Sequence, residues 1–311
     1  MKIKQSEKKM IKKRSFHWNK DFDKIQEFLF NTYKLTKSFH NWIPSMFENM
    51  QFGPCGTPYM DEEDEYVKIW EDGDVGIVAV TICKPSGDCR FFMHPDYYEY
   101  GDTFVEAIET QAKEMKAGDS EKKIYFVVEE CDSVREEVLK QRGYDNSGVC
   151  EHNRFLPQNY EVPEIKLPPG YSIRHVDIEK DLVLYKEVQS SVFSHCNSMT
   201  LELAKKYASA KFYHPERDIV VVAPDGKFAA FTTGRMDPIS KLAETEPVGV
   251  HPDYRQRGLG KAIVYEGIRR LQQHGAEAIV ILGAASSEAA TKLYDSIGFE
   301  RRNVNAWLKI I

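Results

Sequence analysis

The chain has no apolar run approaching the ~18 residues that cross a bilayer, which excludes a helical membrane span. Its basic start, Met1 to Phe16, lacks the apolar stretch of a secretory signal, so a cytoplasmic protein is expected. It has no Cys-x-x-Cys pair. The six cysteines, Cys55, Cys83, Cys89, Cys131, Cys150 and Cys196, sit in a chain large enough to need no covalent staples and are expected to be reduced thiols. Positive charge is in short supply too: 42 basic against 48 acidic residues leave a formal net charge of −6. That argues against bulk nucleic-acid binding, because phosphate contacts need a clustered positive surface, and it suits a cationic substrate better. No Gly-x-Ser-x-Gly or His-Glu-x-x-His occurs and the nine histidines lack ligand spacing, so nucleophilic-serine and metal mechanisms have no foothold and no metal is expected. The acidic run Asp61-Glu62-Glu63-Asp64-Glu65 reads as a solvated loop.

What is present is a repeated pattern. At about 150 residues per domain, 311 residues suggest two domains. Four prolines and a glycine crowd Pro157 to Gly170, blocking helix and weakening strand pairing. The expected division is a first domain of residues 1–156, a linker of 157–169 and a second domain of 170–311. His94-Pro95-Asp96-Tyr97 recurs as His251-Pro252-Asp253-Tyr254, each with a glycine seven positions after its histidine, Gly101 and Gly258. Gly143-Tyr144 and Gly298-Phe299 then each close a helical pattern. Two diverged copies of one fold account for both matches.

In the second copy, alternation and helical spacing predict a strand at Tyr171 to Val176 and a helix at Asp181 to Phe193. Strands follow at Asp218 to Ala223, Phe228 to Arg235 and Ala243 to Val250, then a helix from Leu259 to His274. A short buried strand at Ile279 to Leu282, a helix at Glu288 to Ile297 and a strand at Val304 to Ile310 complete it. This order predicts an α+β fold, two domains each with a mixed, mostly antiparallel central sheet flanked by helices.

The strongest chemical signal is Arg255-Gln256-Arg257-Gly258-Leu259-Gly260-Lys261, between a strand and an amphipathic helix. Its glycines allow a tight turn and close approach of a ligand. The N–H groups opening the helix have no intrahelical acceptor, so an anionic pyrophosphate can satisfy them.

Together with the strand before it, Val248-Gly249-Val250-His251-Pro252-Asp253-Tyr254, this segment resembles motif A of the GNAT superfamily of acyl-CoA-dependent N-acetyltransferases, Q/R-x-x-G-x-G/A. Ser287-Glu288-Ala289-Ala290-Thr291-Lys292-Leu293-Tyr294-Asp295-Ser296-Ile297-Gly298-Phe299 resembles the family's motif B, with Ser287 where many members have asparagine. The resemblance covers residues from about 170 to 311. It implies acetyl-CoA as acyl donor, held at Val248, Gly249, Val250, Arg255, Gln256, Arg257, Gly258, Leu259, Gly260, Lys261 and Ser287. Pro247 cannot donate to a neighbouring strand, so the ladder must open near it. By resemblance, the backbone of Val248 and Val250 then pairs with the pantetheine arm.

Acyl transfer to an amine needs the nucleophile neutral, and an alkyl amine near pKa 10 loses its proton at pH 7 at a cost of roughly 4 kcal/mol. Glu244 and Glu246 share one strand face, and either can serve as the general base. Glu244 falls where some family members place theirs. Tyr294 occupies the motif B position of the tyrosine that protonates the leaving thiolate. In the first copy, Tyr98, Tyr100 and Thr103 stand opposite Arg255, Arg257 and Gly260, and Leu139 opposite Tyr294, which reads as a degenerate domain that binds no CoA. Its aromatic segment Phe39 to Phe47 is either core or part of an acceptor pocket, with Trp42 as a candidate acceptor contact. The expected activity is transfer of an acetyl group to a primary amine of a small molecule by direct attack in a ternary complex. A non-catalytic acyl-CoA sensor or scaffold, and a protein or peptide N-acetyltransferase, are the alternatives.

Overall fold

The computed structural model describes residues 10–53, 63–115, 118 and 122–311. Its first elements are β1 (Ile11–His17), α1 (Trp18–Thr36), α2 (Pro44–Phe52), β2 (Glu63–Asp72), β3 (Gly76–Cys83), β4 (Asp88–Met93), α3 (Gly101–Met115), β5 (Lys123–Glu129), α4 (Ser133–Gln141) and β6 (Asp145–Phe155). Then come β7 (Ser172–His175), α5 (Ile178–Ser190), α6 (Leu201–Ala208), β8 (Asp218–Val222), β9 (Phe228–Met236), β10 (Leu242–Val250), α7 (Leu259–Gln273), β11 (Ala278–Ala285), α8 (Glu288–Ile297) and β12 (Glu300–Ile310). Every element expected in the second copy is present, and α6 is an addition to them. No helix among the described residues is long and apolar enough to cross a membrane.

The chain forms two compact units, one of residues 1–44, 60–150 and 304–311 and the other of 45–59 and 151–303. The sheet order is β1-β2-β3-β4-β5-β12 in the first and β7-β8-β9-β10-β11-β6 in the second. In each, the fourth and fifth strands are parallel and the other pairs antiparallel. The fold class is therefore the one expected, two mixed sheets flanked by helices.

The membership of the units differs from a cut through the proline-rich segment. Val304 to Ile310 does not close the second copy's sheet: it pairs with β5, Val304 opposite Glu129 through Ile310 opposite Lys123. Trp307 is buried there with Trp70, Phe91, Phe104 and Phe126. Beside β11 the place is taken by β6, with Phe155 opposite Val280 and His152 opposite Ala284. Residues 157–169 are no free linker either, since Tyr160, Val162, Ile165 and Leu167 pack on the core of Ile263, Ile268, Ile281 and Phe299. Proline removes regular hydrogen bonding without preventing apolar side chains from being buried.

Two local devices repeat. Each His-Pro-Asp-Tyr forms a 3-10 turn whose histidine Nδ1 accepts the N–H two residues on, at 3.2 Å in both copies. The same ion pair ties β1 to α1 and β7 to α5: Arg14 pairs with Asp21 at 2.7 Å and Arg174 with Asp181 at 2.5 Å, and each aspartate also accepts a backbone N–H four residues before it. Glu63 to Glu65 open strand β2 and are not loop, whereas Asp61 and Glu62 lie outside the described residues. Cys83, Cys89, Cys131 and Cys150 are free thiols, but Cys196 is disulfide-bonded, against the expectation of reduced thiols; Cys55 lies outside the described residues.

Candidate active site

Strands β10 and β11 run together only over Leu242 to Glu244, opposite Ala278 to Val280. Beyond that point β10 stays with β9 through a register break between Thr245 and Val248, spanning Pro247, and β11 follows β6 through a break between Ile281 and Ala284. The two parallel strands thus part where the amide-free Pro247 predicts that the ladder opens.

The loop entering α7 meets this opening. Gln256 (φ 61°) and Gly258 (φ 78°) are left-handed, and α7 starts with no side-chain cap on its first N–H groups. Those donors, with the exposed Arg255 and Arg257 beside them, fit an anionic ligand. A Cβ on Gly260 would lie 3.3 Å from Val250 Cγ2 and 3.6 Å from Leu293, so the glycine lets the helix sit close to β10 and α8. Arg255 Nε donates to Val250 O at 3.3 Å, and Arg257 to Tyr171 Oη at 2.8 Å and Asp253 O at 3.1 Å.

Four of the expected cofactor residues have other local work. Leu259 is buried core, so only its backbone is offered. Lys261 Nζ donates to Ser296 O at 2.8 Å. Gly249 makes room for Phe231, whose Cζ would stand 2.4 Å from an added Cβ. Ser287 caps α8, its hydroxyl accepting Ala290 N–H at 3.3 Å.

The two glutamates part company. Glu244 is 2% exposed and stands opposite Arg235, whose fully buried guanidinium pairs with Glu48 of α2. Burial raises the Glu244 pKa, opposed by the charge of Arg235. Glu246 is half-buried and within 3.4 Å of the Tyr294 hydroxyl, which donates to its Oε1. Burial, then the negative charge of Glu244, pushes the Glu246 carboxyl up to about 8. Burial, then Glu246, raises the Tyr294 hydroxyl well above its ordinary range. The fully buried Arg154 of β6 pairs with Asp295, and its guanidinium lies 5.7 Å from the Tyr294 ring centre, fixing α8 where it carries that tyrosine.

Sequence reasoning missed Glu48, Arg154 and Arg235. The signal for Arg235 was the one charge within the otherwise uncharged run Phe228 to Met236. Glu48 and Arg154 come from the first half of the sequence, and no motif announces them. Trp42 belongs to the first unit, where its ring centre is 5.2 Å from that of Phe92 and Arg90 lies over it.

The first unit has the corresponding strand parting and fills it. Strands β4 and β5 pair only at Asp88 and Cys89, opposite Tyr125 and Phe126. Past that point Arg135 donates to Phe91 O from Nε (3.1 Å) and Nη2 (3.0 Å). Asn41 bonds both backbone groups of Met93, at 3.0 and 3.1 Å. In the repeat, Phe91 and Met93 stand opposite Val248 and Val250.

Residues 185–299 match a family model described as the acetyltransferase (GNAT) family. The chain is 30% identical over 172 residues to a mycothiol acetyltransferase of Paenarthrobacter aurescens, covering 53% of each. To the mycothiol acetyltransferase of Pseudarthrobacter chlorophenolicus it is 26% identical over 244 residues, 73% of this chain and 72% of that one. It spans about half the length of most of the curated relatives it matches. Among solved structures, a GCN5-related N-acetyltransferase from Sphaerobacter thermophilus superposes with a TM-score of 0.67 at 16% identity, over 96% of this chain and 95% of that one. A tandem GNAT protein from the clavulanic acid biosynthesis pathway gives 0.67 at 14% identity, over 96% and 98%. These two share the fold.

Proposed function

We propose, from the match of residues 185–299 to the acetyltransferase (GNAT) family model, that the protein is an acetyl-CoA-dependent N-acetyltransferase acting on a primary amine of a small molecule. Acetyl-CoA supplies the acetyl group. The chain's part is to hold its phosphates at the α7 N-terminus with Arg255 and Arg257, to place its arm along β10 past Pro247, and to move two protons. The small-molecule acceptor is supported by the relatives that carry the name mycothiol acetyltransferase.

The observation that carries the reading is the Glu246–Tyr294 contact at the mouth of the strand parting. A carboxyl at about 8 is matched to taking a proton from an ammonium near neutral pH, where an ordinary glutamate is too weak a base. We assign Glu246 as the general base and Glu244 as the neighbour that raises its pKa. Glu244, sealed beside Arg235, serves the site through its charge. The amine attacks the thioester carbonyl directly. Tyr294 gives its hydroxyl proton to the departing sulfur and can recover one from Glu246 across their hydrogen bond. The first unit, with Arg135 and Asn41 in its gap and Leu139 in place of the tyrosine, takes no acetyl-CoA.

The test is thiol release from acetyl-CoA against a panel of polyamines, aminoglycosides, amino acids, other small amines and peptides. Turnover with small amines alone supports the reading. Turnover confined to peptides assigns the protein to peptide acetylation, and acetyl-CoA binding without release under any acceptor makes it a sensor.

A further inference from the structure

The first unit gathers four donor side chains at the end of β5. His40 follows α1, Glu129 ends β5, Cys131 is exposed in the turn after it, and Asp132 caps α4. His40 Nε2 lies 3.4 Å from Cys131 Sγ and 3.8 Å from Glu129 Oε1, and the Cys131 thiol donates to Glu129 Oε1 at 2.8 Å. On the far side of the ring, His40 Nδ1 faces Asp132 Oδ2 at 3.5 Å. Asp132 is itself fixed, accepting Arg135 N–H at 3.2 Å and pairing with Arg135 Nη1 at 2.5 Å.

We propose that His40, Glu129 and Cys131 form a binding site for a zinc ion, with Asp132 as the residue that orients the imidazole. The ligand atoms all lie within 4.8 Å of one another. Sulfur, imidazole nitrogen and a single carboxylate select zinc over magnesium or calcium, which take oxygen ligands. With Nδ1–H turned to the Asp132 carboxylate, the lone pair of Nε2 points into the cluster, the arrangement that metal-binding histidines keep. A tetrahedral ion with bonds of about 2.0–2.3 Å holds its ligands roughly 3.3–3.6 Å apart. The nitrogen is already at about those separations from the other two. The sulfur and oxygen must move apart by about half an ångström or more from their hydrogen-bonded distance. Loss of the thiol proton drives that movement, since thiolate and carboxylate repel without a cation between them, and the exposed turn leaves Cys131 room to make it. Binding forms a zinc–sulfur bond and releases the thiol proton to solvent, so it weakens as pH falls. Three protein ligands leave a fourth position for water or a small ligand. His40 and Cys131 are 91 residues apart, which is why spacing along the chain gives no hint of the site.

Arg135 gives the site a structural meaning. The guanidinium that holds Asp132 also closes the parting of β4 and β5, so the ion and the closure share one anchor. The proposal stands independently of acetyl transfer, because its readouts are binding and spectra.

The full chain, stripped with a chelator under reducing conditions, is titrated with Co²⁺ as a spectroscopic substitute and then with Zn²⁺. The expected result is one equivalent bound with a thiolate-to-cobalt charge-transfer band, displaced by zinc. Cys131→Ser should abolish the band. His40→Gln should weaken binding roughly 100-fold or more, and Asp132→Asn, which keeps the helix cap, roughly 10-fold. Cys150→Ser should change nothing. Absence of the band in the unaltered chain, or its survival in Cys131→Ser, overturns the proposal.

Discussion

The parting of β4 from β5 and that of β10 from β11 are one feature of the fold with opposite outcomes. In the first unit the freed backbone of Phe91 and Met93 is taken up by Arg135 and Asn41, and α3 begins at Gly101 in an ordinary helical conformation (φ −53°). In the second unit the loop turns through two left-handed residues, α7 is left uncapped, and Glu246 and Tyr294 face the opening. The gap comes with the topology, whereas its use depends on a few side chains. Polar backbone groups inside a domain must find partners: in the first unit Arg135 and Asn41 take them from within the fold, whereas in the second Val250 O takes the exposed Arg255, a partner that a ligand can displace.

The comparison is broken first at the base. Glu246→Gln should cut kcat by about 10²–10⁴ while the KM for acetyl-CoA stays put; unchanged turnover would move the base elsewhere. Next comes the cradle. Gly260→Asp places a carboxylate among the α7 N–H groups and should remove the thermal stabilisation by acetyl-CoA, about 2.7 kcal/mol at a hundredfold excess over Kd. Its counterpart Thr103→Asp, exposed on α3, should keep that stabilisation, and calorimetry on the unaltered chain should give one equivalent of acetyl-CoA. Two equivalents would erase the distinction between the units.

Arg135→Ala tests the filled gap. It leaves Asp132 and Phe91 O buried without their partner and should destabilise the first unit by about 3–5 kcal/mol in denaturant melts. No second acetyl-CoA site should appear, because the first unit lacks the cradle. Tyr294→Phe should slow turnover roughly tenfold to a hundredfold with acetyl-CoA affinity intact, the ring still packing against Phe299. The smallest effect is the most specific. The rate should rise with pH to a plateau above about 8, and Glu244→Gln, by deleting the charge that raises Glu246, should shift that rise to lower pH. A profile that stays in place would take Glu244 out of the electrostatics.

The sequence made much of this readable. The His-Pro-Asp-Tyr repeat, the glycine motif and Pro247 pointed to two like units, an uncapped helix and an opened ladder, because each rests on a local backbone requirement. Pairing was hidden, because alternation in Val304 to Ile310 reveals a strand but not its neighbour. The choice between Glu244 and Glu246 was closed to pattern reading as well. They share a face, and only the position of Arg235 across the sheet and of Tyr294 on α8 tells them apart. The recurrence of Arg14–Asp21 as Arg174–Asp181 was legible as spacing, yet no motif marks it.

The exchanged last strands bear on how the chain is made. Strand β6 leaves the ribosome long before β11 exists to receive it, and β5 waits with an open edge until residues 304–310 arrive. Neither sheet can be completed until strands from the far end of this sequence have been made, in contrast to tandem proteins that fold from the N-terminus unit by unit. A fragment cut at residue 170 carries β12 without its partner β5 and β11 without β6, leaving bare strand edges that invite aggregation. Dissection of this protein has to follow the contacts and not the order of the residues, for instance by circular permutation that reunites residues 304–311 with the first unit.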